Sequence, residues 1–167
     1  PRGAIILAKE EHAKAVDKAV FPGLQGGPHD HVTAGMAVAL HEALLPGYKD
    51  YCQQVIHDAQ ALAEALMSRG INVVTGGTDN HLVLADLSVK DVPGKIAQQA
   101  LDRANITSNA NMVPGDKRSA FDPSGLRMGS PAATTRGFKE AEMKQIGNWI
   151  ADVVEHVEDD KVIERVR

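Results

Sequence analysis

The sequence predicts an α/β chain in which helices pack on a small, mostly antiparallel sheet. From Tyr48 onward, long segments repeat apolar residues at three- and four-residue steps (48–69, 91–104, 138–157). Short apolar runs of β type lie between them (72–75, 81–87, 106–109, 125–130). Clusters of Gly, Pro, Asn and Asp separate the runs. The order helix, strand, strand, helix, strand, strand, helix suits helices laid over an antiparallel sheet. A chain of 167 residues with 43% apolar content can bury a core without disulfides or metals.

Each element has its own warrant. Residues 4–8 (AIILA) are a short apolar run, expected as a buried strand, and 10–20 are expected to be helical. Residues 21–31 (FPGLQGGPHDH) hold three glycines and two prolines and are expected to be loop. Residues 32–45 are Ala-rich and apolar almost all round, which predicts a helix buried on most faces, against its own domain or a partner subunit, and ended by Pro46-Gly47. In 48–69, Tyr48, Tyr51, Cys52, Val55, Ile56, Ala59, Leu62, Ala63 and Leu66 form one stripe, with Gln53, Gln54, Asp58, Gln60 and Glu64 opposite. Gly70 is placed to end that helix. The turn at 76–80 splits the next two strands. Helix 91–104 carries Pro93 in its first turn. Residues 109–124 have no period, and loops of that length tend to be functional or disordered. Strand 125–130 delivers Arg127, a tight connection follows over 131–137, and helix 138–157 sets Phe138, Ile146, Trp149, Ile150, Val153, Val154 and Val157 on one side. Asp159 opens a last short helix. The chain is therefore expected to divide into 1–45, the tail of a larger domain, and 46–167, a small α/β domain.

Composition narrows the function classes. Eighteen Lys and Arg against twenty-two Asp and Glu give a net charge of −4 without a basic stripe, so no nucleic-acid partner is expected. No apolar run is long enough to span a membrane. The single cysteine excludes a disulfide framework and suits a reducing cytoplasm. Three candidates for chemistry remain. Arg127, among the apolar and small residues of 124–132, would pay for burial unless an anion met it; that anion is either a ligand carboxylate or a structural Asp or Glu. Gly26 and Gly27 could turn successive backbone N–H groups toward a phosphate, or form an ordinary interhelix turn. His29, Asp30 and His31 are adjacent and cannot converge on one ion, so no metal site is expected. His81 is read as a satisfied buried histidine, Cys52 as inert core, and the sequon at Asn105 as chance.

Four stretches together resemble the serine hydroxymethyltransferase family: PRGAIIL (1–7), FPGLQGGP (21–28), GGTDNHLVLADL (76–87) and ITSNANMVPGDKRSAFDPSGLRMGSPAATTRGFKE (106–140). The resemblance implies the C-terminal part of a fold-type I pyridoxal-phosphate (PLP) transferase. Such an enzyme interconverts serine plus tetrahydrofolate with glycine plus 5,10-methylenetetrahydrofolate, in one-carbon metabolism and glycine biosynthesis. PLP acts as the electron sink. It also implies a cytoplasmic homo-oligomer, dimer or tetramer.

Position by position, the resemblance makes Arg127 the clamp for the substrate α-carboxylate. It places Gly26 and Gly27 toward the cofactor phosphate of a neighbouring subunit, and Arg2 beside the cofactor. Asn111, Ser119 and Phe121 fall on the folate side, and Arg136 is a structural arginine. The family's Schiff-base lysine, in a Thr-His-Lys run, precedes the stretch equivalent to Pro1-Arg2-Gly3. No catalytic residue is therefore assigned within this sequence, and the 167 residues are expected to be inactive alone. The sequence departs from the family pattern at His29-Asp30, usually two apolar residues, and at Ala110, usually basic. Some residues of the family's C-terminal end are expected beyond Arg167. Two other readings are a fragment of a folate-independent PLP aldolase and a non-catalytic domain that binds partners through helix 32–45.

Overall fold

A computed structural model describes residues 2–167; Pro1, the first residue of the expected 1–45 segment, lies outside the described residues. The chain forms two compact units, Pro1–Lys49 and Asp50–Arg167.

In the first unit, α1 spans Glu10–Lys18 and α2 spans Asp30–Ala43. Glu10 and Glu11 in the first turn of α1 and Lys18 in its last complement the helix dipole. A wide turn follows over Ala19–Leu24, where Phe21 and Pro22 leave helical geometry, and 25–29 are irregular. The expected strand at 4–8 does not form. A strand exists only as half of a ladder, and this segment finds no ladder partner among the described residues. Of the two surfaces expected to bury α2, its own domain does not do so. No residue of α2 is buried, and Leu44 just beyond it is 84% exposed. An apolar composition states what a helix can bury, whereas burial requires a facing surface.

The second unit contains nearly all the interior. Helix α3 spans Pro46–Ser68, so Pro46 opens this helix, a position where its missing N–H costs nothing. Its end is the expected one: Gly70 takes a left-handed φ of 71°, its N–H donates to Met67 O (2.9 Å), and Ile71 N–H reaches Leu66 O (3.1 Å). Strand β1 is Asn72–Val73, β2 is Leu82–Asp86, β3 is Asn109–Asn111 and β4 is Gly125–Gly129. Between them α4 covers Gly94–Arg103, with Pro93 at its N-cap. The strand expected at 106–109 forms three residues later. The expected connection after β4 coils into a short helix α5, Pro131–Thr135. Helix α6 is Glu140–Glu155 and α7 is Asp160–Val166. Asp159 caps α7, accepting from Lys161 N–H at 2.9 Å.

The four strands form one antiparallel sheet in the order β1-β2-β4-β3. Alternation along the strands gives it two unlike faces. Val73, Val83, Ala85, Leu126 and Met128 point inward. They join Leu62 and Leu66 of α3, Leu101 of α4, Met143, Ile150, Val153 and Val154 of α6 and Ile163 of α7 in a single core. Helices therefore cover one face. The other face carries Asn72, Leu84, Asp86, Asn109, Asn111 and Arg127, none of them buried.

The stripe predicted for α3 needs one correction. Asp58, assigned to its polar side, is fully buried (0% exposed), because it lies three residues after Val55 and four before Leu62, on the apolar face. The carboxylate is tolerated there because Gln54 Nε2 donates to Oδ1 (2.9 Å) and Thr134 Oγ1 to Oδ2 (2.6 Å). Ser130 Oγ, also buried, donates to Val55 O at 2.6 Å. These bonds tie α5, at the exit of β4, to the middle of α3. Trp149, expected on the apolar side of α6, is partly exposed.

Candidate functional site

Strand β4 places Arg127 at the centre of the open sheet face. Its neighbours in register are Leu84 on β2 and Asn109 on β3. Leu126 and Met128, which make the local sequence look buried, point to the opposite face. The expectation of a buried guanidinium is thus corrected: Arg127 is exposed. The structural-partner alternative is not realised either, since no hydrogen bond or ion pair engages this guanidinium among the described residues. The one acidic residue of the strands, Asp86, is occupied elsewhere. Its Oδ1 accepts from Ser88 N–H (2.9 Å) and Ser88 Oγ (2.6 Å), and Asn72 Nδ2 lies 3.4 Å from Oδ2. Arg127 therefore offers an uncommitted planar donor fork.

Asn111 sits one pleat along from Asn109 on the same face, opposite Gly125. Its Nδ2 donates to Met112 O at 2.8 Å. A side chain at position 125 is sterically forbidden, because a Cβ there would lie 2.6 Å from Val113 Cγ1 and 2.7 Å from Asn111 O. Strand β3 is further held from its outer edge by α4, where Gln98 Oε1 accepts from Ala110 N–H (2.8 Å). Ala110 itself pairs with Leu126 on the helix-covered side, where a small apolar residue fits.

The loop between β3 and β4 carries Ser119 and Phe121, both exposed, Phe121 at 89%. It is knotted at its base by Asp116, a residue the sequence reasoning did not single out. Asp116 accepts from Val113 N–H, Arg118 N–H, Ser124 N–H and Ser124 Oγ. Hydrogen bonds from Ser124 above all, then from Arg118, hold its carboxyl well below the usual carboxylate range. A carboxylate with a depressed folded-state pKa contributes its stabilisation above its ordinary value of 3.8 and loses it as the pH falls through the lower folded value. The knot is therefore intact at neutral and mildly acid pH.

In the first unit, Gly26 and Gly27 are exposed in irregular chain. Nothing lies within 4 Å of where a Cβ would stand, and their backbone N–H groups have no acceptor among the described residues. Their free N–H groups are available to an acceptor such as a phosphate. Arg2 is likewise exposed. His29 and His31 stack at 5.5 Å. Arg136 donates to Ala132 O (2.7 Å), capping its own helix.

His81 is exposed rather than buried, because β2 begins one residue later and leaves it in the turn. Cys52 is half-buried on α3. A cleft of about 980 Å³ between α3 and the turn at 74–80 contains none of the candidate residues. No helix among the described residues is long and apolar enough to cross a membrane.

Comparison with known proteins adds a family. The family model described as serine hydroxymethyltransferase matches residues 1–150. A serine hydroxymethyltransferase from Sorangium cellulosum is 55% identical over 99% of this chain and 39% of its own length. One from Acidothermus cellulolyticus is 57% identical over 92% of this chain and 36% of its own. One from Legionella pneumophila (strain Lens) is 56% identical over the whole chain and 40% of its own length. The chain spans about two fifths of the length of the curated relatives it matches.

Proposed function

Because the chain belongs to the serine hydroxymethyltransferase family, we propose that it supplies the amino-acid carboxylate and folate contacts of such an enzyme. The reaction is interconversion of serine plus tetrahydrofolate with glycine plus 5,10-methylenetetrahydrofolate. One observation carries the reading: Arg127 stands on the open sheet face with no protein anion to meet it. The strand fixes where this guanidinium starts from, and the α-carboxylate of serine or glycine matches its planar fork with two parallel hydrogen bonds. Asn111, Ser119 and Phe121 then give the pterin of tetrahydrofolate an amide, a hydroxyl and an aromatic face.

PLP, when bound, supplies an electron sink for charge developing at the α-carbon. Gly26 and Gly27 would hold its phosphate through their free backbone N–H groups, with Arg2 nearby in sequence to the cofactor-bearing stretch. The contribution of the present residues is to bind and orient: Arg127 fixes the carboxylate, and with it the α-carbon, so that reacting bonds are presented in one geometry. In this reading the Schiff-base lysine belongs to a Thr-His-Lys run, which the 167 residues do not contain. The full protein works in the cytoplasm as a homo-oligomer, in which Val38 and Leu40, exposed on α2, meet a second copy.

The test uses the full-length protein containing this chain. Arg127→Ala raises the serine KM and lowers kcat, because both ground-state binding and orientation are lost. An unchanged kcat/KM for serine would remove Arg127 from the carboxylate site.

A further inference from the structure

Residues 112–124 form a long loop without helix or strand, of the kind that ordinarily costs conformational entropy each time a ligand orders it. Here one carboxylate ties its beginning, middle and end. Asp116 Oδ2 accepts from Val113 N–H (3.3 Å) and Ser124 N–H (2.9 Å), and Oδ1 from Arg118 N–H (2.9 Å) and Ser124 Oγ (2.7 Å). A carboxylate has about four acceptor sites, and all are engaged by the loop itself. Asp116 is thereby left without spare capacity for a ligand.

The knot is anchored to the rigid sheet. Ser124 is buried, and its carbonyl accepts from Leu87 N–H (2.9 Å) just after β2. The neighbouring Pro123 carbonyl accepts from Gly94 N–H (2.8 Å) at the start of α4. Above the knot the loop closes a second time. Arg118 Nε donates to Asp122 O (3.1 Å), its guanidinium pairs with the Asp122 carboxylate, and Asp122 N–H reaches Ser119 O (3.0 Å). The result is a braced tip, 119–121, that presents Phe121 to solvent.

We propose that Asp116 is a positioning residue for tetrahydrofolate: it holds the β3–β4 loop in its binding shape and acts through Ser119 and Phe121 without touching the ligand. This rests on the folate-side reading of the loop given above.

The experiment compares Asp116→Asn, Ser124→Ala and Asn111→Ala in the full-length, PLP-loaded protein, measuring KM for tetrahydrofolate and for serine separately. Asp116→Asn places an N–H₂ where an acceptor stood and raises the tetrahydrofolate KM by about tenfold, the scale of one lost hydrogen bond. The serine KM changes by less than about twofold, because Arg127 lies on the sheet beyond the knot. Limited proteolysis within 113–123 in the absence of folate accelerates in parallel. A general structural role would instead move both KM values and kcat together.

Ser124→Ala removes one of the four bonds and gives a smaller rise of the same selectivity. It answers the question alone if Asp116→Asn does not fold. A tetrahydrofolate KM unmoved in Asp116→Asn, or in Ser124→Ala where that must stand alone, while Asn111→Ala raises it, overturns the positioning role and leaves the folate-side reading intact. No change in any of the three overturns both.

Discussion

Residues 2–49 and residues 50–167 both contain well-formed helices, yet only the second group has an interior. In α1 and α2 not one residue is buried, although α2 is among the most apolar stretches of the chain. In the second unit, α3 alone buries eight residues, and the sheet and α6 complete the enclosure. The difference separates two properties that sequence patterns tend to merge. Helix formation is local, set by propensity and end signals, whereas a core forms only where several apolar faces meet.

The sharpest way to break the contrast is to remove equal side chains from each unit. Leu126→Ala, deep in the core, lowers the unfolding free energy of the 167-residue chain by about 2–5 kcal/mol. Leu40→Ala on exposed α2 changes it by less than about 0.5 kcal/mol. Urea denaturation measures both, and equal losses would show that the first unit shares the interior after all.

An intermediate effect concerns Asp58, the one fully buried carboxylate among the described residues. Thr134→Val removes a 2.6 Å hydrogen bond to Asp58 and leaves that oxygen unsatisfied, a loss of about 1–3 kcal/mol in the same assay. The smallest effect belongs to the surface. Arg165 pairs with Asp152 at 3.0 Å but is largely solvent-exposed, and Arg165→Ala costs about 0.2–1 kcal/mol. That loss shrinks further in high salt. A penalty as large as that of Thr134→Val would place the rim of α6 and α7 inside the cooperative core.

Much of the second unit was legible because its signals are local. The three- and four-residue repeats marked α3, α4 and α6, Gly70 marked an end, and Asp159 a beginning. What escaped depended on partners distant in sequence. Asp58 reads as polar surface until Thr134 comes into view, seventy-six residues away. Strand β3 is a poor strand by composition (Asn109, Ala110, Asn111) and takes its place only because β4 and Gln98 pair with it.

At the candidate site, Arg127 was found for a reason that failed. Its neighbours in sequence are apolar, but a pleat with period two sends them to the other face. Asp116 was passed over because Pro114-Gly115-Asp116 looks like any turn, and Ser124, the residue that makes it a knot, lies eight positions on. The resemblance located the loop, while the carboxylate that shapes it emerged only from the hydrogen bonds.

The sheet order has a consequence for solubility. A polar, uncovered sheet face would be hazardous if its rims could recruit further strands and grow into an aggregate. Both rims are short: β1 has two residues and β3 has three. At β3, the outward N–H of Ala110 is already taken by Gln98. The sheet can therefore leave one face uncovered while offering almost no template along which another chain could add a strand.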